Sequence, residues 1–407
     1  MKVLILTPFY APEDFGAGVS ITEMATTLAA RGHQVQVLTL MPNYPKGEVF
    51  EGYRGKESMT EVMDGVTVER QLVVPAARDG SLLKKGMAAF KVQGAFLKAK
   101  PRLVKPDVIL TVSPPPFAGI AAQKLAKEWG VPYVVRVCDI ASHALAAAKA
   151  SKNPLSILVR NLEAKMIRGA AALNVVSPSF VPELKAIGAK DAPIETIYDW
   201  ADGSAIRPLP GTDTFRAVWD LDGKFVLMYS GSLGYTSDLI PVLEAIARME
   251  YKNRLALMVL GAGPKLAEVK QKAAELGLEN VRFRDLVPRS DLNRSLCAAH
   301  MHIATLTPEG AKSSTQGKMR TITAAGRGVI GVMPTDCGEA KVITEGQFGV
   351  VTDNKDVDGL ARQLDDFCLD PELAARLGIR ARTFFEANFE LQHCVGQIES
   401  QLQSLVG

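Results

Sequence analysis

Cysteine is scarce and scattered. The five residues, Cys138, Cys297, Cys337, Cys368 and Cys394, are odd in number and form no CxxC pair. That argues against a disulfide framework and against a structural zinc site built on paired cysteines, and free thiols in a reducing cytosol are the expectation. Histidine is equally sparse, with five residues. Long apolar runs are missing. No uncharged stretch approaches the roughly 20 residues that span a bilayer, and the first run is cut at Pro8, too early for a signal-peptide core. Charge of one sign is also lacking. A net charge of +3 over 407 residues does not suggest nucleic acid as a partner. The expectation is a cytoplasmic protein, at most peripheral at the inner face of a membrane.

What is present is an ordinary globular composition, 47% hydrophobic and 22% charged, in a chain long enough for two domains. Short apolar runs at 3–7, 35–40, 108–112, 133–137 and 173–176 alternate with helical patterns, the signature of buried parallel strands. Ile21, Met24, Ala25 and Leu28 form one helical stripe, and Ser20 with Glu23 makes a capping box expected at its start. The order restarts with strands at 225–229, 255–260, 281–283, 302–306 and 329–332 and helices at 238–249, 264–276, 290–299 and 319–325. Two complete β-α series imply two doubly wound α/β domains. The boundary falls near 199–213, where Pro208, Pro210 and Gly211 interrupt regular structure. The segment 371–405 is expected to be helical throughout.

Ligands of such sheets bind beyond the carboxyl ends of the strands. After the first strand come Gly16, Ala17 and Gly18, just before a helix. Glycines there let the backbone approach a ligand, and a helix start offers free N–H groups to an anion. A plain strand–helix turn has the same pattern, and Ile21 stands where a dinucleotide fingerprint needs its third glycine. Ser232, Leu233 and Gly234 occupy the equivalent place in the second series, and Gly261 and Gly263 follow its next strand. Lys318 opens a helix, where a lysine opposes the helix dipole unless a bound anion such as a diphosphate offsets it; a solvated loop lysine is the plainer reading. Asp139 follows the strand at 133–137, close to His143. It faces a cleft or caps the next helix. His33, at the opposite end of the sheet, is structural.

Residues 82–105 interleave Lys84, Lys85, Lys91, Lys98, Lys100, Arg102 and Lys105 with apolar residues. A peripheral membrane contact and a solvated helix packed on its own domain both fit this stretch.

Together these motifs resemble the GT-B fold, retaining glycosyltransferases of the large family four, in particular the branch of bacterial surface-polysaccharide enzymes similar to colanic-acid and fucosamine transferases. The resemblance runs from Met1 to about Leu405. It rests on Tyr10-Ala-Pro-Glu-Asp-Phe-Gly-Ala-Gly18, Gly32-His33, Pro42-Asn-Tyr-Pro45, Ser113-Pro-Pro-Pro116, Val137-Cys-Asp139, Ser230-Gly-Ser-Leu-Gly234, Gly261-Ala-Gly-Pro264, Val287-Pro288, Ala324-Ala-Gly-Arg327 and Gly338-Glu339. It implies two Rossmann-like domains facing across a cleft. An acceptor-binding domain spans 1–205, with a final helix at about 387–407 crossing back to it, and a donor-binding domain spans 206–386. It implies a nucleoside-diphosphate sugar as donor, commonly uridine-linked, and a saccharide, lipid-linked or small-molecule acceptor. No metal or other cofactor is expected, because positive side chains and helix ends stabilise the leaving diphosphate. Lys318 is expected at that diphosphate, with Asp139 and His143 orienting sugar or acceptor. Gly16, Ala17, Gly18, Ser232, Leu233, Gly234, Gly261, Gly263, Glu309, Thr321 and Glu339 are expected to line the donor and substrate site.

The chain also departs from the family. Two glutamates with seven residues between them are common there, and the aligned positions here hold Ser313 and Thr321; Glu309 lies four residues too early. Gln316-Gly317 precede Lys318 where Pro-Ser is usual, and Tyr235 follows Gly234 where a basic residue is common. Asp199 replaces an asparagine. Two further readings therefore stand beside the transferase: a non-catalytic sugar-nucleotide-binding subunit of a polysaccharide assembly, and a sugar-nucleotide epimerase, which would need a richer acid–base set.

Overall fold

A computed structural model of the chain describes residues 1–14, 17–44, 47–73, 82–142, 154–189, 192–209, 215–312 and 315–407. They divide into two compact units, Met1–Tyr198 with Cys394–Gly407, and Asp199–His393. The first contains β1 (Lys2–Leu6), α1 (Ala17–Ala30), β2 (Gln34–Leu40), β3 (Ser58–Met63), β4 (Val66–Gln71), α2 (Leu82–Lys98), β5 (Val108–Ser113), α3 (Pro116–Trp129), β6 (Tyr133–Val137), α4 (Pro154–Arg168), β7 (Ala172–Val175), α5 (Phe180–Ile187) and β8 (Ile194–Thr196). The second contains β9 (Phe225–Ser230), α6 (Ile240–Arg248), β10 (Leu255–Leu260), α7 (Leu266–Glu275), β11 (Val281–Arg284), α8 (Leu292–Ala298), β12 (Met301–Thr305), α9 (Lys318–Ala324), β13 (Gly328–Val332), α10 (Gly338–Glu345), β14 (Gly349–Thr352), α11 (Val357–Leu369) and α12 (Pro371–Asn388). Helix α13 (Leu391–Ser404) closes the chain.

The sheets run β3-β4-β2-β1-β5-β6-β7-β8 and β11-β10-β9-β12-β13-β14. All pairings are parallel except β3 with β4. Strand order reverses direction at β1/β5 and at β9/β12, the topological switch points where doubly wound sheets bind ligands. The strands are apolar because both faces are covered. Leu4, Leu6, Ile109, Val135 and Leu173 lie in one core, and Leu227, Leu257, Ile303 and Ile330 in the other.

Three local expectations are corrected. Helix α1 begins at Ala17, so Ser20 and Glu23 lie inside it and form no N-terminal capping box. The segment 371–405 is two helices, not one. Phe389 O accepts the Ala201 N–H at 3.0 Å, and Leu391 N–H returns to Ala201 O at 3.1 Å, which holds the chain extended between α12 and α13. The Glu390 carboxylate then accepts the N–H groups of Gln392 and His393, serving α13 as an N-terminal cap. Finally, β3 and β4 form a hairpin where no strand was expected. Asp64 and Gly65 supply its two left-handed turn residues, with φ of 48° and 79°. Strand β4 buries polar residues instead of an apolar run. Arg70 donates to Glu61 at 2.5 Å and to Leu40 O at 3.3 Å, and Glu69 accepts from Arg102 at 2.5 Å and Gln71 at 2.8 Å.

Helix α13 is fastened to β7 by polar groups inside the first unit. Gln401 accepts from Asn174 at 3.1 Å and donates to Leu173 O at 3.3 Å, and Arg136 donates to Asn174 at 3.0 Å and to Ile197 O at 3.2 Å. Glu399 pairs with Arg31 at 2.7 Å and His33 at 2.6 Å, a structural role for His33. Arg136→Met leaves buried acceptors without a donor. It should lower stability by about 3 kcal/mol, seen as a fall of roughly 5–10 °C in Tm; an unchanged melting curve would show that the network carries no stability.

Arg327, in the Ala-Ala-Gly-Arg motif, is a structural cation. It donates to the carbonyls of Cys297 and Ala299 at 2.8 Å and of Ala325 at 3.3 Å, while Arg382 donates to Ala324 O at 2.7 Å. These are the C-terminal carbonyls of α8 and α9, where positive charge is favoured.

Candidate functional site

In the first unit, the loop after β1 is organised by Glu13. Its carboxylate is buried, and Oε1 accepts the N–H groups of Asn43 and Tyr44, both at 2.9 Å, while Oε2 accepts the Tyr10 N–H at 3.3 Å. Two segments distant in sequence, Tyr10–Glu13 and Asn43-Tyr44, are thereby one structure at the carboxyl ends of β1 and β2. Ala17 is the first residue of α1 and Gly18 the second. A Cβ on Gly18 would lie 2.9 Å from Glu13 O, so close packing of the loop on the helix already requires this glycine. Gly16 lies outside the described residues, as does His143. Asp139 is half-buried just beyond β6, and its Oδ1 accepts the Ile140 N–H at 2.8 Å.

In the second unit, the loops after β9 and β10 are pressed together. Gly231 N–H donates to Leu260 O at 2.9 Å, Leu233 N–H to Ala262 O at 3.0 Å, and Lys265 N–H to Leu233 O at 3.1 Å. Cβ atoms on Gly261 and Gly263 would lie 2.0 Å from Gly231 O and 2.5 Å from Leu233 O. Both glycines are thus demanded by loop-on-loop contact. The Leu233 N–H is committed to that contact, whereas the N–H groups of Ser232 and Gly234 make no hydrogen bond among the described residues. Ser232 is exposed and Gly234 half-buried.

Lys318 is the first residue of α9. Its side chain does not extend into solvent. The ammonium is enclosed, with no hydrogen-bond partner among the described residues, and sits 3.5 Å from the centre of the Tyr229 ring. The ring's negative face offsets part of the lost hydration, but burial still pushes the ammonium pKa down to about 7. A Cβ on Gly231 would be 3.3 Å from Nζ, so that glycine leaves the space the lysine occupies. Tyr229 in turn donates to Ser232 O at 2.6 Å.

Beside it, Glu339 is the second residue of α10 and is buried. Burial raises its carboxyl pKa to about 7, against the Gln316 N–H and the Arg320 charge, which favour the ionised form. Arg320 pairs with Asp199 at 3.4 Å. Gln316 is also buried, and its Nε2 donates to Thr305 O at 3.0 Å. The Thr321 hydroxyl donates to Lys318 O at 3.0 Å. Glu309 is exposed on the loop after β12, and Ser313 lies outside the described residues.

The switch-point edge of the second sheet therefore gathers Ser232, Gly234, Lys318, Thr321 and Glu339, together with Tyr229 and Gln316, which the motif reading missed. Tyr229 looked like one more apolar strand residue. Gln316 had a signal in that it breaks the Pro-Ser pattern before the lysine. A cavity of about 580 Å³ lined by Arg216, His300, Arg327 and Arg382 opens elsewhere. His300 and Arg327 precede β12 and β13, which places it at the amino ends of those strands, away from the switch-point edge.

Among the described residues, no group of three or more His, Cys, Asp or Glu is placed to hold a metal ion, and no helix is long and apolar enough to cross a membrane. Within α2, Val92 and Phe96 are buried in the first core while Phe90, Lys91 and Lys98 are exposed.

Comparison with known proteins gives the same picture from outside. Residues 15–200 match the glycosyl transferase 4-like domain and residues 212–384 match the glycosyl transferases group 1. The putative colanic acid biosynthesis glycosyl transferase WcaI of Escherichia coli is 27% identical over 335 residues, 80% of this chain and 82% of WcaI. Glycogen synthase of Mycobacterium tuberculosis is 25% identical over 405 residues, 96% of this chain and 92% of that one. Sucrose-phosphate synthase from Thermosynechococcus elongatus has the same fold, with a TM-score of 0.78 at 16% identity over 99% of this chain and 98% of that one. So does Anabaena HepE, solved with UDP and glucose, with a TM-score of 0.71 at 16% identity over the full length of both.

Proposed function

The chain belongs to the GT-B glycosyltransferases of the group 1 and 4-like families, and on that premise we propose that it moves a hexosyl or N-acetylhexosaminyl unit from a nucleoside-diphosphate sugar, with retention of anomeric configuration. The acceptor is a saccharide, lipid-linked or small-molecule hydroxyl. Uridine is the base favoured by the UDP bound in HepE, and surface-polysaccharide assembly is the setting favoured by the WcaI likeness. The observation that carries the donor end is the Lys318 ammonium, enclosed and without an acceptor among the described residues. A buried cation without a counter-charge is costly, and a diphosphate is the partner this site lacks.

In this mechanism the sugar–diphosphate bond breaks as the acceptor hydroxyl attacks from the same face, and the hydroxyl proton passes to the departing diphosphate. Negative charge grows on the diphosphate, and Lys318 with the Ser232 and Gly234 N–H groups stabilises it more strongly in the transition state than in the ground state. The loop held by Glu13, leading to Gly16, Ala17 and Gly18, shapes the sugar site. Asp139 and His143 orient the sugar or acceptor hydroxyl. Glu309, Thr321 and Glu339 line the nucleotide end. A membrane contact through residues 82–105 would bring a lipid-linked acceptor to the enzyme.

A thermal-shift panel of nucleoside diphosphates and their sugars tests the donor. The cognate donor should raise Tm, since a ligand present at 100 times its Kd contributes about 2.7 kcal/mol. No shift with any of them would defeat the reading. Stabilisation without transfer to any acceptor would instead assign the chain as a sugar-nucleotide-binding subunit, the role suggested by Thr321 and Ser313 in place of glutamates.

A further inference from the structure

We infer that Gln316 is a specificity-determining residue of the donor site, its side-chain carbonyl accepting an O–H or N–H of the transferred sugar. The inference rests on the donor reading above and deepens it. Gln316 is 7% exposed. Its main-chain N–H is given to the Glu339 carboxylate, its main-chain carbonyl accepts the Met319 N–H at 2.9 Å, and Nε2 donates to Thr305 O at 3.0 Å. The contact to Thr305 fixes which way the amide faces, because only the nitrogen end can donate to a carbonyl. Oε1 is then an acceptor held in place, buried, and without a donor among the described residues.

Two residues along the same segment, Lys318 has the opposite need, an enclosed donor without an acceptor among the described residues. One ligand can meet both needs only if it carries both kinds of group. An ionised diphosphate offers acceptors alone, which suit Lys318 and do nothing for Oε1. Hydroxyl or amide N–H groups must supply the rest, and a sugar joined to that diphosphate carries them. Thr321, placed above at the nucleotide end, lies on the other side of Lys318 in the chain, which leaves the transferred sugar for Gln316. A site that leaves a buried acceptor unpaired discriminates strongly against a ligand lacking the matching donor.

The test compares nucleotide with sugar nucleotide by calorimetry, using UDP against UDP-glucose and UDP-N-acetylglucosamine, and GDP against GDP-mannose, on the full chain. In the wild type the cognate sugar nucleotide should bind at least 10-fold more tightly than its bare nucleotide. Gln316→Met should abolish that increment while changing the affinity for the bare nucleotide less than threefold. Gln316→Glu, which keeps an acceptor but loses the Nε2 donor to Thr305 O that orients it, should not restore it. Equal loss for nucleotide and sugar nucleotide would place the effect on the ribose or on loop anchoring, and an unchanged increment would remove Gln316 from recognition; either overturns the inference alone. A wild-type chain that binds none of these probes overturns the donor reading, and the inference with it.

Discussion

Lys318→Met should lower turnover of the cognate sugar nucleotide by about 10²–10³-fold, the usual loss when one preorganised donor to a developing anion is removed, and should do so without destabilising the ligand-free protein. The two halves of this expectation share a cause. The wild-type ammonium is buried over Tyr229 with no hydrogen-bond partner among the described residues. Its pKa is lowered from 10.5 to about 7. A shift of that size corresponds to a cost of about 5 kcal/mol for the charged form in the folded chain. Methionine fills the same space without that cost, so ligand-free Tm should hold or rise while kcat falls. A fall in Tm parallel to the fall in kcat would mean that Lys318 is structural.

The pH dependence follows with its sign. A lysine whose folded pKa is depressed binds its proton less readily in the folded state, so its destabilising effect is complete below pH 7 and is relieved as pH rises from about 7 to 10.5. Glu339 is the reverse case. Its pKa is raised from 4.5 to about 7, so its neutral form favours the fold at low pH and that contribution disappears as pH rises between those values. The two contributions alone give ligand-free stability a minimum near pH 7. Donor binding moves differently. Both groups shed a proton around pH 7, one losing positive charge and the other gaining negative charge, and both changes disfavour a diphosphate. Donor affinity should therefore fall from pH 6 to pH 9. Calorimetry at pH 8 in buffers of different ionisation enthalpy should register proton uptake on binding, and Lys318→Met should remove most of it. A flat profile would rule out this coupling.

The doubly wound pattern was legible because a strand covered on both faces must be apolar along its whole length. Tyr133–Val137 and Leu255–Leu260 are such strands, and they stand out between amphipathic helices. The β3–β4 hairpin was missed for the converse reason. Its inner strand carries Glu69, Arg70 and Gln71, buried but polar; Glu61 of the paired strand, the more distant Leu40 carbonyl and Arg102, and contacts among themselves satisfy them. The Asp64-Gly65 pair was the available signal. The capping box failed because Ser20 and Glu23 have the right spacing but lie a turn inside α1; spacing alone does not set where a helix starts. At the site, glycine clusters and a lysine at a helix start are sequence-level features. The burial of Lys318, the fixed amide of Gln316 and the bridging carboxylate of Glu13 arise only when loops from different strands meet, and no local pattern encodes that meeting.

The glycines of the second unit separate what the chain needs from what a ligand needs. Gly261→Ala places a methyl 2.0 Å from Gly231 O and 3.2 Å from Gly231 C. Both are main-chain atoms, so no side chain can turn aside, and the loops must part. The hydrogen bonds from Gly231 to Leu260 and from Leu233 to Ala262 are strained or lost with that movement. The expected cost is roughly 3 kcal/mol or more, at the upper end of overpacking substitutions. Because the space beside Gly231 holds the Lys318 ammonium, donor affinity should fall with it, by at least 10-fold. Gly234→Ala is the contrasting case. Its new methyl meets nothing closer than Ser232 Oγ at 3.9 Å, so stability should change by less than about 0.5 kcal/mol. If the Gly234 N–H approaches a bound diphosphate, that methyl crowds the ligand instead of the protein, and donor affinity should drop while Tm stays put. Measured together, the two variants decide the matter. Loss of fold and binding in the first with loss of binding alone in the second places the diphosphate against the β9 loop. Full binding by Gly234→Ala moves it elsewhere along the edge.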